Sequence, residues 1–197
     1  MRRVIGIGET ILDILFKNNQ PTVAVPGGSV FNGLVSLGRA GVNVTFISEV
    51  GGDRVGEIIL NFMKDNGICT DNVMVYPERK SPISLAFLND KNDAEYSFYK
   101  DYPTLRLDVD MPEVTSEDIV MFGSFYAITP QLRDKVKELL DKARKVGAII
   151  YYDVNFRSTH AHEAIKLMPT ILENFEYADI VRGSNEDFGN MFGMTEA

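Results

Sequence analysis

Short apolar runs alternate along this chain with longer stretches of helical period, and that alternation restricts the fold more than any other feature. Arg3–Gly8 reads as a short buried strand ended by glycine. Val30–Ala40 has helical spacing, with Ser29 fitting its N-cap and Gly41 its stop. Val44–Ser48 is a strand. Arg54–Asn66 follows as a helix between an Asp53 cap and Gly67, with Val55, Ile59 and Met63 on one face. Further on, Ile119–Phe122, Ala148–Asp153 and Asp179–Val181 read as strands. They alternate with helices over Pro130–Val146, Ala161–Asn174 and Asn185–Phe192. This order builds βαβ units, hence an α/β domain with a mostly parallel sheet flanked by helices.

Two regions break the alternation. Ile11–Phe16 and Thr22–Val25 are strands joined by Lys17-Asn18-Asn19-Gln20-Pro21. Ile83–Leu88 and Glu95–Tyr99 are strands joined by Asn89-Asp90-Lys91-Asn92-Asp93, a hairpin signal. Neither pair has a helix between its strands. The expectation is one small antiparallel sheet, formed by about 11–25 and 83–100, standing off the body. Ligands of open α/β sheets bind at the carboxyl ends of the strands, so such a flap makes a natural lid.

Charge and composition remove several classes of partner. A net charge of −8 argues against nucleic acid and anionic lipid. No run of about 18 apolar residues indicates a membrane span. Gly6, Gly8, Glu9 and Asp13 interrupt the N-terminal region and argue against a signal peptide. Cys69 is the only cysteine, which excludes an internal disulfide and fits a reducing cytoplasm.

Five polar constellations fall at predicted strand ends. Gly8-Glu9 with Asp13 puts acceptor-only carboxylates beyond the first strand, suited to sugar hydroxyls or to capping a turn. Pro26-Gly27-Gly28-Ser29-Val30-Phe31-Asn32 opens a helix with two glycines. They let a ligand approach the backbone, unless the segment is a plain turn. Gly51-Gly52-Asp53 with Gly56 reads as an N-cap. Asp153-Val154-Asn155-Phe156-Arg157 sets a carboxylate, an amide and a guanidinium at alternate positions. Arg157 suits an anion such as phosphate, or else pairs internally with Asp153. Ser184-Asn185-Glu186-Asp187-Phe188 is a capping-box-like start whose acids could hold Mg²⁺ through water.

Taken in order, these segments resemble the N-terminal portion of ribokinase-like (PfkB) carbohydrate kinases. The match rests on Gly8-Glu9 with Asp13, on Gly27-Gly28-x-x-x-Asn32, and on Gly38, Gly41, Gly51-Gly52-Asp53 and Gly56. Ser97-Phe98-Tyr99-Lys100 resembles the lid hairpin of the fructokinase branch, with lysine where arginine is usual. Asp153–Arg157 is similar to the Asp-x-Asn-x-Arg segment of the fructokinase and 2-keto-3-deoxygluconate kinase branches. Ser184–Gly193 is similar to the family's Asn/Ser-x-x-Glu stretch, with Asp187 at the glutamate position.

The resemblance implies an ATP- and Mg²⁺-dependent kinase acting on a primary hydroxyl of a small sugar, fructose first and 2-keto-3-deoxygluconate second. It implies that Asp13, Gly28 and Asn32 hold sugar hydroxyls and that Tyr99 and Lys100 lie on the lid near the substrate. Asn155 and Arg157 would face the join between sugar and phosphate, and Asp187 would help position Mg²⁺ and the nucleotide. No direct metal ligand is expected. The family's catalytic base lies in a Gly-Ala-Gly-Asp turn, and no Gly-x-Gly-Asp segment follows Gly51-Gly52-Asp53. The domain over 1–197 is therefore expected to be incomplete at its C-terminus, with the base beyond Ala197 and the chain inactive alone.

Three other readings compete. A non-catalytic sugar-binding or dimerisation module would lack the nucleotide half. A dinucleotide binder fits poorly, because Gly6-Ile7-Gly8 lacks the third glycine and strand spacing follows. A metal site at His160 and His162 lacks an evident third ligand. The apolar lid strands also suggest a homodimer through the lid.

Overall fold

The computed structural model describes residues 2–89 and 94–193. Strand β1 (Val4–Ile7) is buried along its whole length and lies between β4 (Val44–Gly51) and β9 (Ile119–Gly123), parallel to both. Beyond β9 come β10 (Ile149–Asp153) and then β11 (Ile180–Arg182), again parallel. The expected α/β architecture is the one that forms. The sheet extends further than the sequence pattern indicates, because β4 continues past Ser48 to Gly51. That extension, Ser48–Gly51, pairs with β6 (Val73–Tyr76), while β5 (Ile68–Cys69) pairs with the start of β4 at Val44 and Thr45. Strands as short as these carry no period for a sequence reading to detect.

Each face of the sheet is covered by its own apolar layer. Helices α1 (Ser29–Arg39) and α2 (Arg54–Asp65) bury Phe31, Leu34, Ile59 and Met63 against Phe46 on one face. On the other, α3 (Ser124–Ile128), α4 (Arg133–Val146) and α5 (Ala164–Tyr177) close over Phe122 and Tyr152, whose rings stack 4.7 Å apart. Each such side chain contributes about 1.5–3 kcal/mol on burial, so the two layers dominate stability. The helix expected from Pro130 begins as a 3₁₀ turn and becomes α-helical at Arg133. The one expected from Ala161 begins at Ala164, because Ser158–Glu163 also winds as 3₁₀. Gly147 ends α4 at φ 76°, the left-handed conformation glycine permits.

The two non-alternating regions do share a second sheet, in the order β3 (Gln20–Gly27), β2 (Ile11–Lys17), β7 (Ile83–Leu88), β8 (Ala94–Tyr99). Its two hairpins are antiparallel, as expected, but its central pair β2–β7 is parallel, so the lid is mixed. The reason is topological. The chain runs back into the body through α1, β4 and α2 before β7 leaves it again, so β7 runs beside β2 in the same direction. Of the turn Asn89–Asp93, residues 90–93 lie outside the described ones.

Two cap assignments separate here. Asp53 is the N-cap of α2, as expected: its carboxylate accepts from Gly56 N (2.9 Å), Ser81 Oγ (2.7 Å) and Ser81 N (3.2 Å). Ser29 is not a cap. Gly28 takes the cap position of α1, and the Ser29 hydroxyl donates instead to Asp153 Oδ2 across the sheet end (2.5 Å). Replacing Asp53 with alanine is expected to cost about 1–2 kcal/mol, the usual loss at a helix cap. Urea unfolding checks this, with the midpoint shifted and the m-value unchanged.

Candidate functional site

Three consecutive residues between the lid and α1 bring the polar groups at the sheet end together. Gly27 lies against Asp13 so closely that a Cβ there would overlap the carboxylate. At Gly28, φ is 142°, and a Cβ would overlap the carbonyl of Glu9. Ser29 then reaches Asp153. The Gly-Gly pair is therefore required on two counts: contact with two acidic segments and a backbone region closed to other residues.

The Asp13 carboxylate accepts from Ser84 Oγ on the neighbouring lid strand. Burial pushes it above the ordinary carboxylate range; the Ser84 bond opposes this and nearby Glu9 adds to it. Cross-strand register aligns Asp13, Ser84 and Phe98 on one face of the lid. Tyr99 falls in the next row, with Leu12 and Ile83, and so on the opposite face. Tyr99 and Phe98 nevertheless both line one groove of about 560 Å³, with Lys100, Asp53, Lys80 and Ile83. Phe98, 55% exposed, is thus the lid aromatic that shares Asp13's face. Only the pairing register distinguishes Phe98 from Tyr99, and no pattern within β8 encodes it. The Lys100 ammonium lies 5.2 Å from the Phe98 ring centroid and donates to both Glu9 oxygens, at 2.7 and 2.9 Å.

Asn32, Asn155 and Arg157 come together in a separate cleft of about 440 Å³, between α1 and the ends of β10 and β11. Asp153 lies buried there, but its cation is Arg182, through Nη1 to Oδ1 at 2.9 Å, and not Arg157. Arg157 is exposed and has no ion-pair partner among the described residues. Arg182 carried no signal in the sequence; its role follows from the β10–β11 register, which sets it opposite Asp153. Asn155 sits at φ 41° just past β10, and Ser124 at φ 54° just past β9. Left-handed non-glycine residues store strain and cluster at functional strand ends. The 560 Å³ groove is the larger, but the 440 Å³ cleft gathers more convergent polar groups, which is what a site for a small polar ligand requires.

Asp187 is buried and spent on α6 (Asn185–Phe192). Its Oδ2 accepts from Ser184 N (2.7 Å) and Ser184 Oγ (2.9 Å), completing a capping box. His160 stacks on Phe125 with 3.9 Å between centroids, and burial lowers its pKa. His162 lies in the open, and among the described residues both histidines have Glu163 as their ion-pair partner. Among the described residues no group of three or more His, Cys, Asp or Glu side chains could hold a metal, and no helix is long and apolar enough to cross a membrane. A strand, β2, and not a helix, follows Gly8, which removes the dinucleotide-binding reading.

A parallel sheet with a polar cleft at its strand ends and a small sheet beside it defines a ribokinase-like α/β protein. The family comparison agrees: the model of the pfkB family carbohydrate kinases matches residues 1–197, and the chain belongs to that family. Its relatives include a probable chloroplastic fructokinase-6 of Arabidopsis thaliana, 26% identical over 93% of this chain and 51% of its own length. The fructokinase of Vibrio alginolyticus is 22% identical over 95% of the chain and 62% of its own length. Among solved structures, a Vibrio cholerae fructokinase with fructose, ADP and calcium bound superposes with a TM-score of 0.84 at 19% identity. That match covers all of this chain and 64% of the other. An uncharacterized sugar kinase from Pyrococcus horikoshii gives 0.82 at 22% identity, over 96% of this chain and 68% of the other. The chain spans about half to three-fifths of the length of these curated relatives.

The raised pKa of Asp13 has a sign that can be checked. Between the ordinary carboxylate value, about 4, and the raised one, the native chain binds more protons than the unfolded chain. Asp13 therefore makes stability fall as pH rises through that window. Asp13→Asn is expected to flatten this slope and to raise the denaturation midpoint at pH 7. An unchanged slope in pH-dependent urea unfolding contradicts the assignment.

Proposed function

We propose that these residues form the sugar-binding portion of an ATP-dependent kinase that phosphorylates a primary hydroxyl of a small sugar, fructose before others. The observation that carries this reading is the Gly27–Ser29 junction, which ties Asp13, Glu9 and Asp153 together one turn before Asn32. In this reading Asp13, Gly28 and Asn32 hold the sugar hydroxyls. A carboxylate accepts from neighbouring hydroxyls, and an amide both donates and accepts. Asn155 and Arg157 face the join between the sugar and the transferring phosphate. Tyr99 stays a candidate lid contact, Phe98 joins it from the row that holds Asp13, and Lys100 brings the lid's positive charge to the same end. Support comes from the family and from relatives named as fructokinases. A 2-keto-3-deoxy sugar acid is the second substrate class, since the free guanidinium of Arg157 suits its carboxylate.

ATP and Mg²⁺ are the cofactors this reading implies. The guanidinium of Arg157, without an ion-pair partner among the described residues, suits phosphate at the rim of the cleft. Asp187, with its cap to hold, does not suit Mg²⁺ directly. When bound, ATP supplies the phosphoryl group and Mg²⁺ offsets its charge. We assign the catalytic base and the adenine site to sequence outside these residues, and the compartment to a reducing one, the cytoplasm. The second reading, a sugar-binding or dimerisation module without catalysis, draws on the share of the relatives' length that is matched.

Calorimetric titration of the chain with fructose, without ATP, tests the site. Binding is expected to fall about 10- to 100-fold in Asp13→Ala, the loss of a charged hydrogen-bond partner. A coupled ADP-release assay of the same chain is expected to stay at background. Absence of binding to fructose and to 2-keto-3-deoxygluconate contradicts the site, and clear turnover contradicts the assignment of the base elsewhere. The homodimer rests on exposed Val23, Val25, Phe87, Tyr96 and Phe98 of the lid. Sedimentation at tens of micromolar is expected to show a dimer, and a monomer alone counts against it.

A further inference from the structure

Beneath the end of the lid lies an ionic network that the sugar-contact reading does not use. Glu49, on β4, is 1% exposed. Its Oε1 accepts from Arg106 Nε (2.9 Å), from Arg106 Nη2 and from the Tyr126 hydroxyl (3.2 Å). Its Oε2 accepts from the Tyr76 hydroxyl (2.8 Å), and the same oxygen of Tyr76 accepts from Leu107 N (2.7 Å). The segment that follows β8 is thus bolted to the sheet at Arg106 and Leu107. Above it the Arg106 guanidinium lies 3.6 Å from the Tyr102 ring centroid. The Tyr102 hydroxyl donates to Glu9 Oε1 at 2.6 Å, and Glu9 takes Lys100 on both oxygens. Burial and the neighbouring Glu9 hold the Tyr102 phenol far above its ordinary pKa, so its proton stays on oxygen as a donor.

Stability alone does not call for this arrangement. Apolar residues of similar volume often replace a buried ion pair without loss, because desolvation offsets the attraction. What an ion pair provides and an apolar patch does not is fixed orientation. The group oriented at the top of this network is the Glu9 carboxylate, whose residue touches Gly28 and whose charge is felt at Asp13.

We propose that Tyr102 is a positioning residue: supported by Arg106 and Glu49, it fixes the Glu9 carboxylate, and Glu9 fixes Lys100 at the end of lid strand β8. The lid is thereby held in one placement over the Asp13 end of the site. The inference deepens the sugar-site reading and rests on it.

Tyr102→Phe removes one hydroxyl and leaves the ring stacked on Arg106. Glu9 is partly exposed, so water can take the vacated position and the variant folds. Amide hydrogen exchange without any ligand is the first readout. Exchange at residues 94–99 is expected to speed up about tenfold in Tyr102→Phe, while the global unfolding midpoint barely moves. Lys100→Met is expected to do the same, and the double variant no more than either single one, because both act through Glu9. Fructose affinity is the second readout, expected to fall about tenfold in Tyr102→Phe and to couple in the same way. Unchanged exchange over 94–99, or effects of the two substitutions that simply add, overturns the positioning role. Failure of the unsubstituted chain to bind fructose overturns the site reading instead, and the exchange data then decide the clamp alone.

Discussion

The close packing of Gly27, Gly28 and Ser29 against three acidic residues is the contact on which the rest of the site depends. Asp13 belongs to the lid, Glu9 to the end of the central strand, and Asp153 to the end of β10. A chain that must touch all three within three residues has no room for a Cβ at the first two positions and needs a short hydroxyl at the third. The lid, the central strand and the outer half of the sheet are thereby referenced to one point, the start of α1. Asn32 inherits its place from that point, one helical turn further on.

Charge is distributed around this point in two separate pairs. Asp153 is buried and answered by Arg182. Glu9 is answered by Lys100 and, from below, by Tyr102. Because Arg182 satisfies Asp153, Arg157 is left without an ion-pair partner among the described residues at the rim of the cleft, which is the state a group must be in to meet an incoming anion. Had Arg157 closed on Asp153, the cleft would hold no free guanidinium beyond Arg182. The same economy does not extend to Asp187, whose Oδ2 accepts both Ser184 bonds at the cap of α6.

Much of the body could be read from period and punctuation. The parallel strands and their helices follow from apolar spacing and from stops such as Gly67 and Gly147. The union of the two lid segments follows from their lack of intervening helices. What could not be read depends on partners distant in the chain. Ser29 has the spacing of a cap but donates its hydroxyl to Asp153, 124 residues away, and Gly28 takes the cap position. Tyr99 and Phe98 are adjacent aromatics, and only the β7–β8 register decides which one faces Asp13. Arg182 sits in a strand of three residues, too short for any pattern, and gains meaning from its neighbour Asp153. The parallel direction of β2 and β7 is likewise a property of the path between them, not of either strand.

The central claim is that the lid's Asp13, the Gly27–Ser29 junction and the cleft beside α1 form one site for a small sugar. Backbone amide shifts recorded by NMR during a fructose titration test it most directly. The account predicts that the largest changes cluster at Asp13, Gly28, Asn32 and Asn155. Changes confined to the groove lined by Asp53, Lys80 and Tyr99, with those four amides unmoved, would contradict it.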